Sequence, residues 1–522
     1  MDVSRTITEF WKIWLACGGV GLALAWPWIA RWRTQVLVAL VVLSAVNYSR
    51  WGTDAIVRRV DAYDLLHYYV NAKYFDELGY LDLYPAILLV DQENGGPFYD
   101  QGPVYMAQDE TGHHLVPIAQ GIARGREVRA RFSDAEWAAF EHDVLYLQRT
   151  VGCREKSRKT GKCVREIDDE LWRQLINDHG FNGTTAWTLI ARPFAEWVPV
   201  EYVKWLGFLD VGLLVGALGL VTWAYGGTTA LWTVLFLAIT YSTRWPYLSW
   251  VFLRYDWIAL LLAATALLRK GHPALAGVVT GWSATLRLFP AMWMWGPFCK
   301  GLAGLRHRVV HRSLLWLAAG FVGAVLVIQG AATLRFGVSE VESHFENMMD
   351  HNKAEQLSSR RIGLALALAT EPWQGTRMET VITQQRKERI DAQQPLRYAI
   401  ALAVMAALGL AVRNQRDDEA FGYGFLPFYL LTTASYYYYV ARTTLIPIHA
   451  SGLDQARHRV GLALLFGIEA FSNAAEYYVP GHRLFLIGEL AWSLALYTAV
   501  VVGWPLIADL VARRRATATV TG

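Results

Sequence analysis

Charge is scarce in this chain. Of its 522 residues only 18% are Asp, Glu, Lys or Arg, where a soluble chain of this length carries about a quarter. Cysteine is scarcer still, with four in all, which excludes a fold stapled by many disulfides. Neither sign of charge dominates: the net value is +4, too small to build the basic stripe of a nucleic-acid-binding surface. No Gly-x-Ser-x-Gly and no His-Glu-x-x-His occurs, so a serine hydrolase or zinc peptidase lacks its framework. No segment recurs at a fixed period, which removes the usual mark of a transporter built from inverted repeats.

What the chain has in abundance is apolar and aromatic surface. It is 54% hydrophobic and holds 23 Trp and 25 Tyr. An all-α polytopic membrane protein is the class this composition defines. Its positive charges fall in short connections, as the positive-inside rule requires. Arg31/Arg33, Arg269/Lys270, Lys300 to Arg312, Arg413/Arg416, Arg457/Arg459 and Arg513 to Arg515 all lie between or after apolar runs. With every cluster in the cytoplasm, the chain is expected to cross in about twelve segments.

The expected order is as follows. Residues 1–48 hold two membrane helices, the first a retained helix near Phe10 to Ala30 and not a signal peptide, since its apolar run is too long. Residues 49–198 form an exterior, mostly helical subdomain. Residues 199–332 return to the membrane and include a short re-entrant hairpin, Ala274 to Phe298, because that run is too short for two spans of roughly 20 residues. Residues 333–396 form a second exterior loop, and 397–522 the last membrane helices. Within the subdomain, Phe132 to Thr150 and Glu166 to Asp178 read as amphipathic helices, the first opened by a Ser133-Asp134 cap. The Gly-rich stretch from Tyr84 to Gly112 reads as irregular, with room for short strands.

Cys17 and Cys299 sit in apolar segments and read as packing residues. Cys153 and Cys163 lie in the polar GCREKSRKTGKC. Their spacing fits no zinc pattern, and in an oxidising compartment a disulfide between them is the expectation. No metal or cofactor site is expected.

Candidate chemistry begins after the second helix. The segment from Asp61 to Tyr84 reads DAYDLLHYYVNAKYFDELGYLDLY. On a regular helix Asp61, Asp64, His67, Tyr68 and Asn71 share one face. Ionised groups close to a bilayer are costly and mark function. The same residues can also do no more than cap a helix and pair with Arg58 or Arg59, with the tyrosines as interfacial aromatics.

Two motifs carry a resemblance. The first is an Asp, a hydrophobic residue, a Tyr, a small residue and a Gly-x-x-x-Leu-Tyr ending, met here by Asp64, Leu65, Tyr68, Ala72, Gly79, Leu83 and Tyr84. The second is a basic residue just before Pro after a Gly-rich helix, met by Gly277, Gly281 and Arg287-Leu288-Phe289-Pro290, with Arg where Lys is common. In these stretches the chain resembles the GT-C superfamily of membrane glycosyltransferases, in its mannosyltransferase-like branch. The long exterior subdomain and the extra first helix depart from the compact pattern of that family.

The resemblance implies transfer of a sugar from a polyprenyl-phosphate donor to a glycan or lipid acceptor at the exterior membrane face. It puts the catalytic Asp on Asp64, with Asp61 as the second candidate. The setting it implies is cell-envelope glycan biosynthesis in a bacterial plasma membrane, among membrane lipids and without nucleic acid. An inverting transfer needs one carboxylate as base, and a lipid-phosphate leaving group needs cationic partners. Arg287, Arg254 and Arg442 are the expected phosphate ligands, Arg being suited by its planar fork. His67, Tyr68, Lys73, His344 and His351 are expected to line the substrate cavity. A flippase or transporter for a lipid-linked or anionic substrate accounts for Arg287 equally well. A non-catalytic assembly subunit is the third reading.

Overall fold

The computed structural model describes residues 3–52, 60–95, 104–109, 112–151, 181–351, 361–369, 384–478 and 483–521. Helices dominate them, and one antiparallel hairpin of Val104–Asp109 and Gly112–Pro117 supplies the strands. Cys153, Cys163 and the Glu166 to Asp178 segment lie outside the described residues, as do Arg58 and Arg59.

The expected count of about twelve spans needs correction. Five helices among the described residues are long and apolar enough to cross a membrane: Ile7–Ala25, Val200–Tyr225, Arg312–Phe336, Gln394–Val412 and Leu490–Ala512. Arg33–Tyr48 and Gly227–Ile239 are apolar but shorter. The remaining helices fall short of that length or hydropathy. Asp256–Arg269 and Pro273–Leu286 have 14 residues each, about 21 Å at 1.5 Å per residue, against a hydrocarbon core of about 30 Å. Asp256–Arg269 is buried on nearly every side, and an all-round apolar helix belongs in a protein interior. The expected span from Phe421 to Ser435 breaks into Asp417–Gly422 and Phe425–Leu431, then an extended turn at 432–435. Hydropathy alone cannot separate such core helices from spans, because both exclude water.

The basic connections gather at one end. Asp418 receives Arg416 at 3.0 Å and Arg269 at 3.9 Å. Beside it lie the pairs Lys300–Asp417 at 2.6 Å, Arg457–Glu419 at 3.4 Å and Arg413–Asp509 at 2.8 Å. The Asp256–Arg269 helix runs from this end to the opposite one, and Pro273–Leu286 runs back beside it to deliver Arg287 there. Pro273–Leu286 packs tightly on Arg312–Phe336. A Cβ on Gly277 would stand 2.1 Å from the Leu317 carbonyl oxygen, so only glycine permits this approach of backbones.

A second apolar cluster, separate from that of the long helices, forms the subdomain. Ala62–Leu65, Leu83–Glu93, Asp134–Val151 and Thr185–Trp197 contribute to it. Leu83–Glu93 is helical where the sequence reads as irregular, because its apolar residues bury on all sides and override the nearby glycines. Asp134–Val151 starts as expected at Ser133. The Ser133 hydroxyl accepts from the Glu136 N–H at 3.2 Å, and the Glu136 carboxylate accepts from the Ser133 N–H at 2.8 Å. That reciprocal pair is a capping box.

Candidate functional site

The segment after Asp61 does not keep the regular phase its spacing suggests. Asp61 caps Ala62–Leu65, its carboxylate accepting the Asp64 N–H at 3.3 Å. A π turn then occupies Leu66–Val70 before the helix resumes at Asn71–Lys73. The wider turn splits the polar stripe. His67 turns into the subdomain, with Nδ1 2.7 Å from the Tyr63 carbonyl and Nε2 2.7 Å from the Tyr84 hydroxyl. Tyr68 turns the other way: its hydroxyl donates to Asn182, and its ring lies 5.9 Å from the Arg287 guanidinium. Lys73 stays with the subdomain, bound to Asp143 at 2.6 Å, and does not line the cavity that Arg287 and His344 share.

Asp64 sits at the junction. Its Oδ1 accepts from Arg254 at 3.0 Å, while its buried Oδ2 has no hydrogen-bond partner among the described residues. Burial pushes its carboxyl up to about 6, the charge of Arg254 pulling the other way. Arg254 is held rigidly. Asp210 accepts both the Arg254 N–H at 3.0 Å and the Tyr255 N–H at 2.7 Å. The preceding Leu253 is in the left-handed region, φ +47°, a conformation an L-residue keeps only when its surroundings enforce it. The Arg254 guanidinium then stacks 4.6 Å from the Tyr437 ring.

Tyr437 is shared with a cavity of about 250 Å³. Its lining mixes polar side chains, Tyr80, Asn182, Arg287, His344, Asn347 and Arg361, with apolar ones, among them Leu288, Phe289 and Met292 from the break after Pro273–Leu286. Arg287 is 7% exposed. It donates to the Leu286 carbonyl at 3.1 Å, its Nε has no partner, and it enters no ion pair among the described residues. The Asp256 and Asp64 carboxylates are near enough for their charges to act on it but make no contact pair with it. A buried guanidinium met only at a distance is unfavourable, so an anion in the cavity would stabilise it.

Arg361 adds a second guanidinium to the wall, donating to the Thr433 carbonyl at 3.3 Å. His344 is on the Val338–His351 helix. Asn347 donates to the Tyr80 hydroxyl at 2.9 Å, and that hydroxyl lies 3.2 Å from His344 Nδ1. His344 Nε2 is buried without a hydrogen-bond partner among the described residues. Burial and the nearby Arg287 lower the imidazole to about 4, so it is neutral at pH 7 and can donate to a ligand. His351 ends the same helix.

Of the three arginines expected at one phosphate, the structure brings Arg287 to the cavity and places Arg254 behind Tyr437 beside Asp64. Arg442 is elsewhere. It is fully buried against Glu469 at 2.9 Å, both side chains 0% exposed, and donates to Ser242 at 3.0 Å. Its position in the apolar interior explains the difference: the aromatic run before it is a 3-10 helix, Tyr436–Leu445, whose last turn faces inward. Sequence reasoning missed Asp210, Arg361 and Asn182. Asp210 had a signal, a lone carboxylate inside an apolar run. Arg361 had none beyond its charge.

Comparison of the chain with protein-family models, with curated proteins and with solved structures finds no match.

Proposed function

We propose that the chain is an integral membrane glycosyltransferase of GT-C type, taking a sugar from a polyprenyl-phosphate donor. The observation that carries this reading is Arg287, buried with no contact ion pair among the described residues, in a cavity whose lining mixes cationic and apolar side chains. A phosphate attached to a hydrocarbon chain matches both kinds of lining. Asp64 supplies the second half of the chemistry, a carboxylate with one oxygen free and an affinity for protons near the working pH.

In the transfer, the acceptor hydroxyl oxygen bonds to C1 of the sugar and the C1–O bond to phosphate breaks, its electrons leaving on the phosphate. The acceptor proton passes to Asp64 Oδ2. Arg287 and Arg361 meet the charge that grows on the leaving phosphate, and His344 donates a neutral hydrogen bond. Tyr437 links the two parts, lining the cavity and stacking on the Arg254 that holds Asp64. The basic connections gathered at the far end support a site facing the exterior of a bacterial plasma membrane.

The test is sugar transfer by the protein in lipid nanodiscs, with a panel of polyprenyl-phosphate sugars and extracted envelope glycans and lipids as acceptors. Transfer from such a donor is the expected result. Its rate should fall as pH drops through about 6, because protonation of Asp64 removes the base. Arg254→Met removes the charge that holds Asp64 down, so the acid limb of the rate profile should move to higher pH. An unmoved limb would take the base role from Asp64. Movement of the unaltered lipid across the bilayer without transfer would replace the enzyme with a flippase.

A further inference from the structure

The helix Val338–His351 has two dissimilar faces. Its inner face carries Glu340, His344 and Asn347. Glu340 accepts the Tyr80 N–H at 2.7 Å, and His344 and Asn347 close the cavity. Its outer face carries Val338, Phe345 and Met349, which are 60%, 42% and 72% exposed. On a helix these three fall within one narrow sector, with Glu342 on the same side between Val338 and Phe345 and Glu346 flanking it.

An apolar sector of this kind is unusual on a surface that meets water. Here it continues a surface that does not. The helix follows Arg312–Phe336, a segment long and apolar enough to span a bilayer, after a turn at Gly337 with φ +95°. The last outward turn of that segment shows Leu334, 91% exposed, next in line to Val338. Arg335 beside it pairs with Asp76 of the subdomain at 2.7 Å, which fixes the turn at the level where the long helix ends. Trp197, Tyr202 and Trp205, ahead of the Gly207–Tyr225 helix, are likewise exposed, as aromatics at a membrane boundary are.

We infer that Val338–His351 is a membrane-surface helix: its Val338, Phe345 and Met349 sector lies in the headgroup boundary of the bilayer, Glu342 among them reaches the polar headgroups, Glu346 faces water at the edge, and its inner face forms the cavity wall. The lipid surface is thus what covers this apolar stripe, and it holds His344 and Asn347 against Tyr80. This inference does not depend on what the cavity binds.

The test is photo-crosslinking of the full chain in phosphatidylcholine nanodiscs. Benzoyl-phenylalanine is placed separately at Phe345, at Met349 and, as a control, at Glu346, and adducts are read by mass spectrometry. Lipid adducts at Phe345 and Met349 should exceed those at Glu346 on the order of tenfold, as for an apolar face sunk into the boundary. Equal, low yields at all three positions would place the helix in water and overturn the inference. So would adducts to a second copy of the chain. Size-exclusion profiles matching the unmodified protein establish that each labelled chain is folded.

Discussion

Asp64→Asn should abolish transfer while leaving a folded, membrane-inserted protein. The amide keeps the shape of the carboxylate and can still accept a hydrogen bond from Arg254, so the junction at Asp61 and the π turn stay in place. What it cannot do is take a proton. Loss of a general base costs about 10²–10⁴ in rate, and here the acceptor would be left to water. Asp64 is not among the residues lining the cavity, so donor binding should change little. Transfer rates and donor affinity measured on the same sample separate the two effects. Wild-type transfer in Asp64→Asn would remove the role assigned to it, and Asp61, whose carboxylate is engaged as a helix cap, would be the next candidate.

The second large effect is on stability. Arg442 and Glu469 form an ion pair with both side chains fully buried, and the second Glu469 oxygen accepts the Tyr241 N–H at 2.7 Å. The pair ties the Tyr436–Leu445 turn to the Ala456–Tyr478 helix and to the end of Gly227–Ile239. Removing one partner leaves a charge in an apolar interior, which costs about 3–5 kcal/mol. Glu469→Ala should therefore unfold at markedly lower temperature and denaturant concentration than the parent. Replacing both residues by apolar ones of similar size, Arg442→Met with Glu469→Leu, should recover most of that loss, since no charge is then stranded. Thermal unfolding of the three proteins in one detergent measures both. If Glu469→Ala unfolds like the parent, the pair contributes nothing and its burial is not what holds this turn.

Those two contrasts also mark where the sequence was informative. Arg287 was legible because a charge inside an apolar run has to be met by something, and its cavity supplies the reason. The basic connections were legible for the same cause, since charge is excluded from the interior and collects at one end. The Ser133 cap was legible because its partner Glu136 stands three residues on.

Phase was not legible. The stripe from Asp61 to Asn71 assumes 3.6 residues per turn, and the π turn at Leu66–Val70 sends His67 and Tyr68 to different neighbours. Nor was the difference between a core helix and a span, because Asp256–Arg269 is as apolar as a lipid-facing helix and only its length gives it away. Arg442 shows the converse of Arg287. Both are arginines near aromatic runs, and only the fold tells which one meets a buried glutamate and which lines a cavity.

The central claim is that Arg287 holds the phosphate of a lipid-linked donor. Binding of polyprenyl phosphate and of polyprenyl-phosphate sugars to the purified protein, wild type beside Arg287→Ala, tests it most directly. The account predicts saturable binding that weakens in the variant by about 1.5–3 kcal/mol, the worth of a charge-assisted contact, or roughly 10- to 100-fold in Kd. Equal binding by both proteins, or none by either, would contradict it.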